Sequence, residues 1–177
     1  MSDYKRLFIE NAYVFLTITT YKRKPILIDN IVLLRESFKR AIEIYNFEIY
    51  AAVILPDHMH LILIPKKIED YPKIIFAIKY HFSRNVKISE NRLSFSKIRK
   101  GEKGIWQRRY WEHTIISEKN LYKHVDYIHY NPTKHGFVEK PKDWKYSSFG
   151  KFVEQNLYEE TWCCEGNIDD ICLMDLD

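Results

Sequence analysis

The sequence predicts an α+β protein, an antiparallel sheet with helices packed on one face, in the split βαβ arrangement. Three observations carry this. Strand-like and helix-like runs follow one another in the order β-α-β-β-α-β-α along 177 residues. Two of the strand-like runs are joined by a tight turn at Pro56-Asp57, which makes them a hairpin. Neither an internal repeat nor a low-complexity block interrupts the series, and a chain of this size can bury roughly 70% of its unfolded surface as one domain.

Each element has its own signal. Residues 12–20, AYVFLTITT, alternate and are rich in β-branched and aromatic residues, so they read as a strand. Ile31, Leu34, Phe38, Ala41, Ile42 and Tyr45 recur at three- and four-residue steps behind a cap at Asp29 or Asn30, the pattern of an amphipathic helix. EIYAAVILP and HMHLILIP form the hairpin. A second helix runs from about Tyr71 to Ile88 with Ile75, Ile78, Phe82 and Val86 on one face. Residues 89–104 are polar and basic and contain the first two glycines of the chain, which makes them a loop. Residues 105–116, IWQRRYWEHTII, alternate again as a strand. Ser117 then caps a helix from Glu118 to Asn131, which Pro132 ends.

Charge divides the chain in two. From Glu154 onward there are eight acidic residues and neither Lys nor Arg, which leaves all 28 basic residues and 16 of the 24 acidic ones to residues 1–153. We therefore expect a basic body over 1–153, suited to a polyanion, and an acidic tail over 154–177 able to compete for the same surface. Three cysteines, Cys163, Cys164 and Cys172, have neither metal-type nor disulfide-framework spacing. No apolar run approaches the ~18 residues of a membrane span, and the N-terminus lacks the order of a signal peptide, so the expectation is a soluble, cytoplasmic protein.

The residue types able to do chemistry fall in two places. On a strand, residues i and i+2 share a face, so His58 and His60 project side by side and could chelate one cation; the same pair could also be two satisfied histidines at a strand start. Barrel hydrolases that open on the same pair usually need ~200 residues or more. In the helix after Ser117, Leu121, Val125 and Ile128 define the buried stripe, and Tyr127 and Asn131 share one flank beside His124 and Asn120. Tyr130 points away. A third feature is basic and aromatic: Lys97, Arg99, Lys100, Lys103, Arg108 and Arg109 outweigh Glu102, with Trp106, Tyr110 and Trp111 interleaved. Cations follow a phosphate backbone and aromatic faces stack on unpaired bases, so Lys97, Arg99, Lys100, Lys103, Trp106, Arg108, Arg109 and Tyr110 are candidate DNA contacts.

Four stretches taken together, LPDHMHLIL, WQRRYWEHTI, VDYIHYNPTKHGFV and DWKYSSF, resemble the single-tyrosine HUH transposases, specifically the REP-associated tyrosine transposases, over about Tyr4 to Phe149. The resemblance implies a ferredoxin-like HUH nuclease fold and an enzyme that cuts and rejoins single-stranded DNA beside hairpins. It makes His58 and His60 ligands of a divalent metal, Mg²⁺ or Mn²⁺. Tyr127 becomes the nucleophile that forms a 5′-phosphotyrosine, and Asn131 the polar residue that completes the metal site. Insertion-sequence relatives carry Gln where this chain has the shorter Asn131. The implied partner is single-stranded DNA with a REP-like hairpin, the implied location the nucleoid, and the implied state a monomer or a homodimer. A domesticated hairpin-binding protein without turnover, acting on DNA or RNA, is the alternative.

Overall fold

The computed structural model describes residues 8–10, 12–87 and 104–163. Its sheet has four strands, β1 (Tyr13–Thr19), β2 (Phe47–Ile54), β3 (His58–Pro65) and β4 (Trp111–Ile115), in the spatial order β2-β3-β1-β4. All three neighbouring pairs are antiparallel. β1 and β2, joined by helix α1 (Ile31–Tyr45), are thus separated by β3, which is the split βαβ expected from the sequence.

Helices cover both faces of this sheet, where the sequence reading placed them on one. Val14, Leu16, Ile18, Met59, Leu61 and Leu63 point to α1 and to α2 (Tyr71–Asn85), and there form an apolar core with Leu34, Phe38, Ala41, Ile74, Ile78 and Phe82. Phe15, Ala51, Val53 and Ile62 point the other way, to α3 (Glu118–Lys134) and the short α4 (Phe149–Glu154). Each fully buried Leu, Ile or Phe contributes about 1.5–3 kcal/mol. The difference from expectation arises after β4, where the chain leaves the edge of the sheet toward the uncovered face; local periodicity does not encode that choice.

The connections explain how the hairpin is held. Asn46 adopts a left-handed conformation, φ 47°, and its N–H caps the carbonyl of Ile42 at 2.9 Å, so α1 ends and β2 starts one residue later. The register of β2 against β3 shifts between Ile49 and Ala51. Such a bulge flips the faces: Phe47 and Ile49 lie toward α1, whereas Ala51 and Val53 lie toward α3. At the tip of the hairpin the Leu55 N–H reaches the His58 carbonyl at 2.9 Å, and the Thr20 N–H and hydroxyl both donate to the Asp57 carbonyl at 2.8 and 2.9 Å. The turn is therefore clamped to the end of β1.

One buried position and three boundaries differ from the sequence reading. The first helix buries Leu34, Phe38 and Ala41 as expected, but Ile42 is 38% exposed at the edge of the stripe. α2 stops at Asn85, with Val86 extended, while Ile88 lies outside the described residues. The strand expected over 105–116 is regular only at Trp111–Ile115; Trp106 makes an isolated bridge with Thr20, and Gln107, Arg108 and Arg109 between them are exposed, since neither alternating face there is apolar. α3 runs through Pro132 to Lys134, and the chain turns at Gly136, φ 71°. Proline removes one N–H, but the Pro132 ring is buried, which offsets that loss. The Ser117 cap is as expected, its side chain accepting from the Asn120 N–H at 3.3 Å.

Residues 154–163, grouped with the acidic tail by charge, pack on the body. The Tyr158 hydroxyl donates to the Asp126 carboxylate on α3, and Trp162 lies 6.0 Å from the Phe149 ring. Residues 164–177 lie outside the described residues. Among the described residues no helix is long and apolar enough to cross a membrane.

Candidate active site

β3 is a central strand, and its two faces differ in kind. Met59, Leu61 and Leu63 enter the aliphatic core, whereas His58 and His60 face α3 with exposures of 1% and 0%. The two imidazole rings stand 5.0 Å apart, centre to centre, and nearly perpendicular at 85°. Each is fixed through its Nδ1. Thr17, the cross-strand neighbour of His60, shares a hydrogen bond with His60 Nδ1 at 2.9 Å. His58 Nδ1 lies 2.6 Å from the Asp57 carboxylate. Burial pushes the Asp57 carboxyl up, but the hydrogen bond and charge of His58, joined by Arg23, outweigh that and hold it below the usual carboxylate range. An ionised carboxylate only accepts, so His58 Nδ1 is the donor to Asp57, and in the neutral ring this leaves the lone pair on Nε2. That is the tautomer a metal-binding histidine needs, with the outer nitrogen oriented by a neighbour.

α3 supplies the opposing wall. Tyr127 is 1% exposed, and its ring meets His60 edge-on at 5.1 Å and Phe15 at 6.0 Å. Asn131, one turn on, is fully buried, and neither its Oδ1 nor its Nδ2 has a hydrogen-bond partner among the described residues. An unsatisfied buried amide costs about 1–3 kcal/mol, so an arrangement that keeps one calls for a ligand. Two imidazoles and an amide oxygen fit a divalent cation with positions left open for other oxygens. Among the described residues no group of three or more His, Cys, Asp or Glu residues could hold a metal ion by itself.

The structure thus brings the His58, His60 and Tyr127 rings together, with the buried Asn131 one turn beyond Tyr127 on α3. Sequence reasoning missed their supports. Thr17 and Asp57 orient the histidines; the Lys134 ammonium lies 5.2 Å from the centre of the Tyr127 ring; and the exposed His135 ring stands 5.2 Å from His58. The spacing of Lys134 from Tyr127, two helical turns, was the available signal. His124 donates to the Asn120 carbonyl at 2.7 Å and stacks on His113 at 5.2 Å, which stacks in turn on the partly exposed Trp111 at 5.9 Å. Burial lowers the pKa of both His124 and His113. Further along α3, His129 is fully buried against Phe152, with its Nε2 2.8 Å from Ser148 Oγ, and burial drives its pKa down to about 3.

The expected DNA contacts divide differently. Lys97, Arg99, Lys100 and Lys103 lie outside the described residues. Arg108 and Arg109 are exposed, and Tyr110 is half-buried beside Lys79. Trp106 does not offer a stacking surface: it is 9% exposed and packs on Phe82 at 5.2 Å within the α1/α2 core. An indole in a strand-like run finds the core before the solvent, and Trp111 is the exposed tryptophan of the pair.

Comparison with known proteins follows the same lines. A family model described as Transposase IS200 like matches residues 8–131. Over 164 residues the chain is 42% identical to a candidate REP-associated tyrosine transposase of Haemophilus influenzae, covering 92% of this chain and 93% of that protein. It is 34% identical over 172 residues to the REP-associated tyrosine transposase of Escherichia coli strain K12, covering 96% and 94% respectively. A solved structure of a REP-associated tyrosine transposase bound to a REP hairpin matches with a TM-score of 0.77 and 34% identity, over 95% of this chain and 93% of that one.

Proposed function

The chain belongs to the REP-associated tyrosine transposases of the IS200-like transposase family, and from that premise we propose that it cuts and rejoins single-stranded DNA beside a hairpin, with Tyr127 as nucleophile. The observation that supports this reading best is the buried convergence of Tyr127, 5.1 Å from the His60 ring, with His58 and the unsatisfied Asn131 amide.

The Tyr127 oxygen attacks a backbone phosphorus. The P–O bond to the 3′ oxygen breaks as the bond to the tyrosine forms, giving a 5′-phosphotyrosine and a free 3′-hydroxyl that takes up the phenolic proton. The ester keeps the energy of the broken bond, so another 3′-hydroxyl reverses the step and joins strands without a nucleotide cofactor. A phenol, with an ordinary pKa of about 10, is a weak nucleophile at neutral pH. The Lys134 ammonium beside the ring stabilises the negative charge that develops on its oxygen. His58, His60 and Asn131 would hold Mg²⁺ or Mn²⁺, which when bound polarises the scissile phosphate and stabilises its developing charge. Thr17 and Asp57 keep the two imidazoles in the ligating orientation without further reorganisation.

Tyr127, both histidines and Asn131 are at most 1% exposed, so the site is closed and DNA must open it. Lys134 and His135, at the C-terminal end of α3, form the rim from which a phosphate approaches. Arg108 and Arg109 serve as backbone contacts, and Lys97, Arg99, Lys100 and Lys103 extend the same basic run. The related structure, which holds a REP hairpin, supports a hairpin as the recognised shape.

The test is a pool of hairpin-containing single strands labelled at the 3′ end, incubated with Mn²⁺ or Mg²⁺ and resolved on a denaturing protein gel. Label that travels with the protein, and is lost in EDTA and in Tyr127→Phe, is the expected result. Adduct persisting in Tyr127→Phe would assign the nucleophile elsewhere; binding of the pool with no adduct under any divalent ion would favour a hairpin binder without turnover.

A further inference from the structure

Among the described residues, four that are not glycine have a positive φ. Two are Asn46 and Asn156, whose short amide side chains tolerate that region. The other two, Lys22 at 58° and Arg23 at 50°, are adjacent and have no such tolerance from their type. Strain of this kind persists where the surroundings over-determine it, and it gathers at functional sites. Lys22 and Arg23 lie in the turn that leaves β1.

That turn grips the tip of the β2–β3 hairpin. The Thr20 N–H and hydroxyl hold the Asp57 carbonyl at 2.8 and 2.9 Å, and the Leu27 N–H reaches the Pro56 carbonyl at 2.9 Å. These bonds fix the Asp57 backbone, and Arg23 takes the side chain, its Nη1 donating to Asp57 Oδ2 at 3.4 Å. The other carboxylate oxygen, Oδ1, lies 2.6 Å from His58 Nδ1. The last torsion of an aspartate is broad, without sharp staggered wells, so a partner on each oxygen is what fixes the carboxylate plane. Arg23 and His58 supply one partner each.

Stability does not account for this arrangement. The Arg23 side chain is 44% exposed, and an ion pair so open and so long contributes less than two left-handed residues cost. Orientation does account for it. His60 is oriented by Thr17, which is itself locked in the β1–β3 ladder, whereas His58 begins its strand and is oriented by a residue of the preceding turn. Asp57 therefore needs a support that the sheet does not provide.

We propose that Arg23 is a positioning residue of the metal site: held by the strained turn, it fixes the Asp57 carboxylate and, through it, keeps the His58 imidazole in the ligating orientation. This rests on the reading of His58 and His60 as metal ligands.

The test uses Arg23→Asn in the full chain, because asparagine suits a positive φ and carries no charge. The unfolding midpoint in denaturant should rise or stay level, while affinity for Mn²⁺, by calorimetric titration, should fall about three- to tenfold, somewhat less than for a group that touches the ligand itself. Arg23→Lys, which keeps the charge, should recover most of that affinity. In an Asp57→Asn background Arg23→Asn should cost nothing further, since the two act as one unit. In metal-free protein the His58 Nδ1–H proton signal, followed by NMR, should be sharp in wild type and broadened by exchange with water in Arg23→Asn. Unchanged Mn²⁺ affinity with an unchanged His58 signal would overturn the proposal. A midpoint that falls together with the affinity would also do so, by making the turn merely structural. A full further loss in the Asp57→Asn background, with hairpin-DNA affinity falling alongside, would make Arg23 a phosphate contact instead. The metal reading fails separately: wild type that takes up no Mn²⁺, yet loses the sharp His58 signal in Arg23→Asn, keeps Arg23 as the residue that orients His58 and sinks the metal site.

Discussion

The two faces of β3 are made by alternate residues of one strand and do opposite things. Met59, Leu61 and Leu63 enter an aliphatic core between the sheet and the first two helices; His58 and His60 are buried on the opposite face, under α3, against the rings of Phe15, Tyr127 and His135. The first face is bound by shape and apolar area, where any hydrophobe of the right volume serves. The second is specified atom by atom, through Thr17 and Asp57 on the ring nitrogens and Tyr127 across from them. One strand thus lets the stability of the first face hold the geometry of the second.

If that division holds, damage to each face has a different signature. The largest effect is expected from Tyr127→Phe, which should lower phosphotyrosine formation by at least about a thousandfold and move the unfolding free energy by no more than about 1 kcal/mol; denaturant titration beside the adduct assay checks both. Leu61→Ala should do the reverse, costing about 2–5 kcal/mol of stability while the folded fraction forms adduct at the wild-type rate. Loss of activity beyond the loss of folded protein would break the comparison. Asp57→Ala should weaken binding of Mn²⁺ about 10- to 100-fold by releasing the His58 ring, as read by calorimetric titration. The smallest effect belongs to His129. Its pKa is about 3 in the folded protein and near 6.5 in the unfolded chain. Between those values the unfolded chain binds the extra proton, so stability is complete above about pH 7 and falls by about 1–2 kcal/mol by pH 5. His129→Gln should flatten this slope, leaving the smaller part due to His113 and His124, which burial shifts in the same direction. Asp126, raised by burial against the pull of Tyr158, works the other way at lower pH.

Much of this was legible in advance where the code is local. The i,i+2 spacing of His58 and His60 and the i,i+4 spacing of Tyr127 and Asn131 each fix a shared face, and the strand order follows from one hairpin and one crossover helix. What was not legible depends on contacts between distant segments. That Thr17 meets His60 is set by how β1 pairs with β3, and that α3 covers the second face and Trp106 turns inward onto Phe82 by how the segment through β4 joins β1. The strand over 105–116 failed for a related reason: Gln107, Arg108 and Arg109 alternate with their neighbours but have no apolar side to bury. Pro132 was read as a stop because its missing N–H is a local cost, whereas the burial that offsets it is not local. Nothing in the local pattern singles out His129, whose burial comes from Phe149, Phe152 and Tyr158 packed around it.

The chain order of these parts also bears on synthesis. β1, α1, β2, β3 and α2 leave the ribosome first, and chains tend to organise from the N-terminus as they emerge. The histidines at 58 and 60 are in place well before Tyr127 is translated. A message broken between β3 and α3 therefore yields a fragment with the histidine pair and no Tyr127. Under the proposed chemistry, translation products that end before Tyr127 cut no DNA, and nonsense mutations upstream of it are plain losses of function.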